Sequence, residues 1–453
     1  MITAKELAAA LRPALIRAPS VGPMRFRHAV VDSRKAGRGD IFVALRGEHV
    51  DGHDYVAHAA QRGASGAIVE RAVEADIAQY VVPHALLALQ DLARLRRASR
   101  SRLRVIAVTG SVGKTTTKEL TAAVLDISYH VLKNEGNLNS EIGLPLVLLE
   151  ATRKHNRAVL EMGMWARGEI ALLCEIAQPN TGIVTNIGPS HMERLGSIEA
   201  ITDAKAELVE ALPPDGDAIL NIDDPRVAAL AKRTNANVIT YGLSPDADVR
   251  AEDIDSHGLA GVRFTLVHEG DRAAVYSHLP GRAMVHNALA AAAAGIVDGI
   301  ALPDIAERLT EVQIPTRLSA HRGFNGSTIL DDTYNASPQS MRAALDLLGE
   351  VPGRKFAVLG DMRELGDAGH EGHIDIGRRA AEIADVIFAV GDLGRWIGDA
   401  AFQAGHGDVH IVMDKSEIAP ALLAQLAPGD VVLVKGSRAL ALETVVAALE
   451  VQA

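Results

Sequence analysis

The sequence predicts an α/β protein of three domains, the second built on a mostly parallel sheet with helices around it and the third doubly wound. Length is the first reason: 453 residues exceed what one hydrophobic core organises, so two or three domains are expected. The second is two long series in which short apolar strands alternate with helical periodicity, the pattern of parallel sheets covered on both faces. The third is a glycine-rich loop between a buried strand and a helix, where such folds place phosphates.

The first part runs to about Arg100, with strands expected at His28–Val31, Asp40–Ala44 and Ala67–Glu70. Its last helix, Leu86–Ala98, carries leucines at helical spacing and ends in arginines, which reads as a terminal surface helix. Arg97-Ala-Ser-Arg-Ser-Arg102 has no apolar face and reads as a linker. The second part opens with Val105–Val108 and continues with strands at Arg157–Met162, Gly182–Thr185, Asp217–Asn221 and Val238–Tyr241. Residues 249–278 turn strand-rich, as an added antiparallel piece would, and the alanine-rich stretch Val285–Ile296 reads as a closely packed helix. Around Gln313-Ile-Pro-Thr316 the pattern resets. A third series follows, with strands at Ile329-Leu330, Lys355–Leu359, Asp385–Val390, Val409–Val412 and Asp430–Val434, as in a doubly wound, Rossmann-like domain.

Composition excludes several classes. A net charge of −11 argues against nucleic-acid binding, which needs a basic face to replace counterions. The longest apolar run, Ala288 to Val297, is half of what a membrane span requires. Residues Met1 to Leu11 lack the charge and apolar order of a signal peptide, so the cytoplasm is the expected compartment. Cys174, the single cysteine, rules out an internal disulfide or a cysteine-based zinc site and reads as a helix core residue.

Chemistry concentrates around Thr109-Gly-Ser-Val-Gly-Lys-Thr-Thr-Thr117. Its glycines let the backbone N–H groups of Gly110, Ser111, Val112, Gly113, Lys114, Thr115 and Thr116 approach phosphate oxygens at a helix N-terminus. Lys114 would reach the β- and γ-phosphates, and the Thr115 hydroxyl would take Mg²⁺. The usual pattern has glycine at position 108, where valine stands, so this P-loop is a shortened variant. Downstream, Glu161-Met-Gly163 and Thr185-Asn-Ile-Gly-Pro-Ser-His191 lie at strand ends, where α/β folds bind ligands, and Lys205 lies within a helix. Alone, each has a plain structural reading: a solvated strand end for Glu161, a loop histidine for His191, a solvent-facing helix for Lys205. Their order behind a P-loop favours a metal and phosphate site.

That order resembles the Mur ligase family over essentially the whole chain. The matching runs are the P-loop through Glu119, Asn137-Leu-Asn139 with Ile142-Gly-Leu-Pro145, Glu161-Met-Gly163, Thr185–His191 and Lys205. The resemblance implies that Lys114 and Thr115 bind ATP phosphates and one Mg²⁺ shared with Glu161. His191 and a carbamylated Lys205 serve a second Mg²⁺, and Asn137 and Asn139 line the reacting centre. The family's usual run has asparagine where Ser140 stands. His286-Asn287 resembles the pair beside adenine, Arg317 the arginine that reaches the phosphates, and Asp332 with Tyr334-Asn335 the ribose and adenine segment. Leu359-Gly-Asp-Met-Arg-Glu-Leu-Gly366 and Val434-Lys-Gly-Ser-Arg438 also match. Asp32-Ser33-Arg34, Gly39–Leu45 and Asp51-Gly-His53 resemble a uridine-nucleotide pocket, to which Arg34 would bring a fork suited to diphosphate.

On this resemblance, residues 1–101 form the UDP-precursor-binding domain, 102–314 the central ATP-binding P-loop domain and 315–453 the Rossmann-like ligase domain. The implied reaction is ADP-forming: ATP activates the carboxylate of UDP-N-acetylmuramoyl-tripeptide, and the amine of D-alanyl-D-alanine attacks the acyl phosphate. These small molecules are the expected partners of a monomer. Tyr334-Asn-Ala-Ser-Pro-Gln-Ser-Met341 resembles the dipeptide-adding member, and the Asp-Asn-Pro-Arg run of amino-acid-adding members is missing after Arg317. Asp223-Asp-Pro-Arg226, similar in composition, reads as a helix start. Three rivals stay open: another amide ligase of the superfamily, a P-loop kinase, and a nucleotide-binding scaffold without turnover. The third residue of the tripeptide, lysine or diaminopimelate, is left undetermined.

Overall fold

The computed structural model describes residues 1–12, 14–19, 22–315 and 317–451; Thr316, the last residue of the expected reset, lies outside them. Among the described residues the strands form three large sheets and one two-stranded ribbon. In the N-terminal sheet, Ala29–Val30, Ile41–Val43, Gly66–Val69 and Ala78–Val81 pair in that order, all parallel.

The central sheet places Arg104–Thr109 between Thr181–Val184 and Arg157–Glu161, so the P-loop leaves from the middle of the sheet. Beyond Thr181–Val184 the order continues through Asp217–Asn221 and Asn237–Gly242 to Val249–Ser256. Val262–His268 and Asp271–Ser277 then add an antiparallel meander at the edge, as expected for 249–278. The alternation of a strand sends neighbours to opposite faces. Val105 and Ala107 enter one core, while Ile106 and Val108 enter another beneath the alanine-rich helix Ala283–Val297.

The third sheet repeats that logic. Its parallel strands run Thr328–Asp332, Val431–Lys435, Lys355–Gly360, Val386–Val390 and Val409–Val412, with Ser319–Arg322 antiparallel at one edge. Ala357 and Leu359 face one apolar cluster, and Phe356 and Val358 the other. Helices therefore cover both faces. The three-part α/β reading holds.

Two local readings do not. The helix Ala85–Ala98 is no surface helix: it packs between Ala4–Leu11 and the central helices Gly143–Leu149 and Glu169–Ala177. Its Leu89 and Leu92 share one continuous core with Leu144, Leu148 and Leu173. The arginines at its end are buried as well. Arg96 donates to the carbonyls of Leu149 (2.6 Å) and Met1 (2.9 Å) and pairs with Glu6 at 3.1 Å. Arg97, placed in the linker by composition, donates to the carbonyls of Ala177 (2.7 Å) and Gln178 (3.0 Å). Both satisfy helix-end carbonyls that would otherwise be buried without a partner. Cys174 does lie in a helix core.

Candidate active site

The P-loop follows from its two glycines. Gly110 (φ 150°) passes so close to Thr185 that a Cβ would collide with the threonine hydroxyl. Gly113 caps the helix Lys114–Leu125 in the left-handed region (φ 84°), with Asn287 Oδ1 2.6 Å from where a Cβ would stand. The loop is strapped from behind: Val112 N–H donates to Asn186 Oδ1 (2.9 Å), and Val112 O accepts from Thr185 Oγ1 (2.7 Å). Ser111 meets the backbone of Gly188 and the hydroxyl of Ser190 within 3.0 Å. Lys114 folds back over the loop and donates to Gly110 O (2.8 Å) and Ser111 O (3.3 Å). Burial lowers its pKa, opposed by the charge of Glu161. Thr116 lies in the first turn of the helix behind it.

Glu161 ends its strand beside Thr115. Its Oε2 accepts from the Thr115 hydroxyl at 2.8 Å, and its Oε1 accepts from Asn139 Nδ2 at 2.8 Å. Asn134, which sequence reading passed over, holds this carboxylate's backbone. Its side-chain amide accepts from Glu161 N–H (2.9 Å) and donates to Glu161 O (3.0 Å), as a neighbouring strand would. Lys118, fully buried, donates to Asn134 O at 2.6 Å and pairs with Glu119 at 2.7 Å. Glu119 in turn pairs with Lys133. Asn137 stands exposed on the same loop, its carbonyl accepting from Asn139 N–H at 2.8 Å. Of the two candidate asparagines, Asn139 touches Glu161; Asn137 does not.

His191 takes a left-handed backbone (φ 58°) at the start of a short helix. Its Nδ1 meets Glu364 Oε2 at 2.6 Å, and Trp165 packs on the ring with centroids 4.9 Å apart. Burial lowers the pKa of the imidazole, opposed by Glu364. Lys205 is 2% exposed on the inner face of the helix Ile198–Glu210, so the solvent-facing reading of this residue is corrected. Burial and the nearby Lys114 charge hold its pKa well below the ordinary lysine value.

The third sheet reaches across to this site. Arg317 donates to Thr115 Oγ1 at 3.3 Å and stacks over the Tyr334 ring at 4.4 Å. Asp332 is buried against Lys435 at 2.6 Å, and the same ammonium donates to Asn335 O at 2.9 Å. Burial pushes the carboxyl up and the ammonium down, each opposed by the other's charge. On the opposite side of the P-loop, Asn287 Oδ1 accepts from Thr117 Oγ1 (3.1 Å), and His286 pairs with Asp223 at 2.9 Å. The helix-start reading of residues 223–226 holds: Asp224 caps Pro225–Ala229.

The candidate uridine residues gather away from the P-loop. Ser33 is buried beneath His58 (3.0 Å), while Arg34 is exposed and forks onto Asp32, with both bonds at 2.9 Å. That pairing holds the Asp32 carboxyl at about 2. Asp51 and the buried His53 meet at 2.6 Å, and His53 Nε2 accepts from Glu70 N–H at 2.8 Å.

Thr115 Oγ1 and Glu161 Oε2, adjacent at the rim of a phosphate loop, are hard oxygen donors of the kind Mg²⁺ takes alongside nucleotide phosphates. His191, with Nδ1 committed, retains Nε2 for a second position, and burial beside Lys114 disfavours the charged form of Lys205. Among the described residues no three His, Cys, Asp or Glu side chains form a preformed metal cage. The donor set fits ions completed by phosphate and water.

Three family models match nearly end to end: "Mur ligase family, catalytic domain" at residues 26–115, "Mur ligase middle domain" at 108–295 and "Mur ligase, glutamate ligase domain" at 316–438. The UDP-N-acetylmuramoyl-tripeptide–D-alanyl-D-alanine ligase of Bacillus subtilis is 38% identical over 423 residues, covering 92% of this chain and 91% of that one. This chain belongs to the Mur ligase family. The Escherichia coli ligase of the same name is 36% identical, with 92% of each chain covered. A crystal structure of MurF from Acinetobacter baumannii superposes with a TM-score of 0.89 at 35% identity, covering 98% of both chains. MurF ligase from Thermotoga maritima, solved in complex with ADP, gives 0.82 at 31% identity over 93% of this chain and 96% of that one.

In this Mur ligase the structure brings Glu161 and Arg317 to Thr115 of the loop, and sequence reading did not single out Asn134, Asn186 and Glu364, the partners of Glu161, Val112 and His191. Glu364 lay inside a matched run, and an acidic residue between Met362 and Gly366 was the available signal. Asn134 offered none, because an asparagine that replaces a strand's hydrogen bonds is visible only in three dimensions.

Proposed function

We propose that this chain is an ATP-dependent, ADP-forming ligase that joins D-alanyl-D-alanine to UDP-N-acetylmuramoyl-tripeptide in the synthesis of peptidoglycan precursor. The end-to-end likeness to relatives that bear this reaction in their names carries the assignment. The site supports it chemically. Hydroxide is too poor a leaving group for an amine to displace, so the tripeptide carboxylate first takes the γ-phosphoryl group of ATP and ADP departs. The dipeptide amine then attacks the acyl phosphate, passes through a tetrahedral intermediate and expels phosphate.

Lys114 swings from the Gly110 and Ser111 carbonyls onto the phosphates as they arrive, and Arg317 adds a second cation from the third sheet. Both offset negative charge that grows in the transition state. Asn139 and Thr115 hold Glu161 in place. Thr115 and Glu161 would hold one Mg²⁺, and His191 with Lys205 a second, together neutralising charge on the transferring phosphoryl group. His286, Asn287, Asp332 and Asn335 border the nucleoside, and Ser33 and Arg34 bind the uridine diphosphate. The assignment divides the chain at 1–101, 102–314 and 315–453, and describes a cytoplasmic monomer. No helix among the described residues is long and apolar enough to cross a membrane.

Burial disfavours the charged form of Lys205, and the neutral amine adds carbon dioxide and releases a proton, giving an anionic carbamate whose oxygens would serve as ligands. We expect Lys205→Ala to lose ligation and to recover part of it with small carboxylic acids. A bare ammonium in a high-resolution map of the active enzyme would contradict this. The whole assignment is tested by phosphate release from ATP with the muramoyl tripeptide present. Release should depend on D-alanyl-D-alanine and yield the pentapeptide, while lysine, diaminopimelate and L-alanyl-L-alanine should fail. Efficient addition of a free diamino acid to the muramoyl dipeptide would move the chain to another reaction of the family.

A further inference from the structure

The loop after Lys355–Gly360 crosses from the third sheet to the central one and ends against His191. Glu364 adopts a left-handed backbone (φ 66°) there, as His191 does on its own side. Their backbones meet as well: Glu193 N–H donates to Glu364 O at 3.2 Å, and Gly366 packs against the Glu193 main chain. The side-chain bond, Nδ1 to Oε2 at 2.6 Å, is the shortest contact His191 makes. A carboxylate only accepts, so Nδ1 carries the proton and, in the neutral ring, Nε2 is left with its lone pair. A histidine side chain free in water favours the opposite tautomer, with the proton on Nε2, so the protein must select this one. Trp165, itself covered by the Arg194 guanidinium at 4.8 Å, packs on the same ring with centroids 4.9 Å apart.

We infer that Glu364 is a positioning residue for the reaction: docking of the third sheet brings its carboxylate onto His191, fixes the Nδ1–H tautomer and turns Nε2 toward the reaction centre. Domain docking and the readiness of His191 thereby become one event. The inference rests on the assignment of His191 to the reaction centre. Carboxylate partners that orient a ligating histidine are worth about ten- to a hundredfold when removed.

Long-range ¹⁵N–¹H correlation of the histidine rings reads the tautomer directly, with the His191→Ala spectrum identifying the resonance. In the unmodified full chain His191 should show a protonated Nδ1. Glu364→Ala should switch it to protonated Nε2 and lower kcat for ligation about ten- to a hundredfold, with KM for ATP little changed. Glu364→Gln keeps an oxygen acceptor at the same reach, so it should retain the tautomer and most of the rate, and it serves as the test if the alanine variant misfolds. A protonated Nε2 in the unmodified chain, or an unchanged tautomer and rate in Glu364→Ala, overturns the inference. Equal loss in the Gln and Ala variants, with KM for ATP raised in both, also overturns it and leaves Glu364 a docking contact. Full ligation by His191→Ala would remove His191 from the reaction centre and the inference with it. Failure of the unmodified chain to ligate D-alanyl-D-alanine strikes the functional assignment instead, and the tautomer still reports whether the pairing exists.

Discussion

Two single side chains illustrate how burial converts ordinary chemistry into something specific. Lys114 satisfies its ammonium on loop carbonyls, which phosphate oxygens would replace under the proposed function. Replacing it with alanine removes a positive charge aimed at the transferring group and leaves the surrounding strand and helix untouched. The expected loss is about a hundredfold or more in kcat, near 2.7 kcal/mol of transition-state stabilisation, with an unchanged melting curve. Near-normal turnover by the folded variant would remove Lys114 from the phosphate site. Cys174 shows the opposite use of burial. Its thiol is enclosed beside Met162 and pushed up to about 12, with Glu207 and Glu175 adding to the effect. The thiolate is the reacting form, so a disulfide reagent at pH 8 should modify the chain only as fast as it unfolds. Stoichiometric labelling within seconds in native buffer would show that the helix Glu169–Ala177 opens freely.

At the scale of elements, the helix Ala85–Ala98 is the most consequential. Sequence periodicity identified it, and its bounds agree to one residue. Its placement was misread because arginines at a helix end usually face water. Here the guanidiniums sit 2% and 7% exposed and close the carbonyl ends of neighbouring elements. Arg96→Met keeps much of the stem volume but leaves Glu6 without its ion-pair partner and the carbonyls of Leu149, Ala151 and Met1 without the guanidinium. The expected cost is about 3 kcal/mol, read as a lower urea midpoint with an unchanged slope. A midpoint within error of the parent would mean that water replaces the guanidinium at no cost. Strands show a similar division. The long apolar central strands were legible, whereas Ala78–Val81, Val131–Lys133 and Ser319–Arg322 were not. All three lie at sheet edges, where one side faces solvent and the apolar signal thins.

For the whole molecule, the apolar cores and the sheets divide differently. One core runs without a break from Ile2 and Phe26 through Leu89 to Leu208 and Leu220, joining the N-terminal and central sheets. The third sheet keeps its two cores largely to itself, with Leu259 the central contribution to one of them. Among the described residues its links to the centre include the side-chain contacts Arg317 to Thr115, Glu364 to His191 and Ser256 to Glu350, and the main-chain bond from Glu193 to Glu364. Calorimetry should therefore resolve two transitions, one for residues up to about 314 and one for the rest. If Arg317 and the P-loop hold the nucleotide jointly, as proposed, an ATP analogue should draw the two transitions together; at a hundred times Kd it adds about 2.7 kcal/mol. A single transition that nucleotide merely shifts upward would show that the three sheets unfold as one.

What the sequence determined by itself was whatever local chemistry writes repeatedly: strand and helix periods, the P-loop, the order of its partners and, through that order, the family. Lys114 stood out by its glycine loop and Glu161 and His191 by their places at strand ends, whereas Lys205 was singled out only by its order behind the P-loop and the resemblance. Tertiary structure alone decided their environments. The burial that lowers the Lys205 pKa, the Asn134 amide that stands in for a strand, and the choice of Glu364 as partner to His191 each join residues far apart in sequence. Such pairings leave no periodic trace. Burial is a property of everything packed around a residue, and one position along a chain cannot carry it.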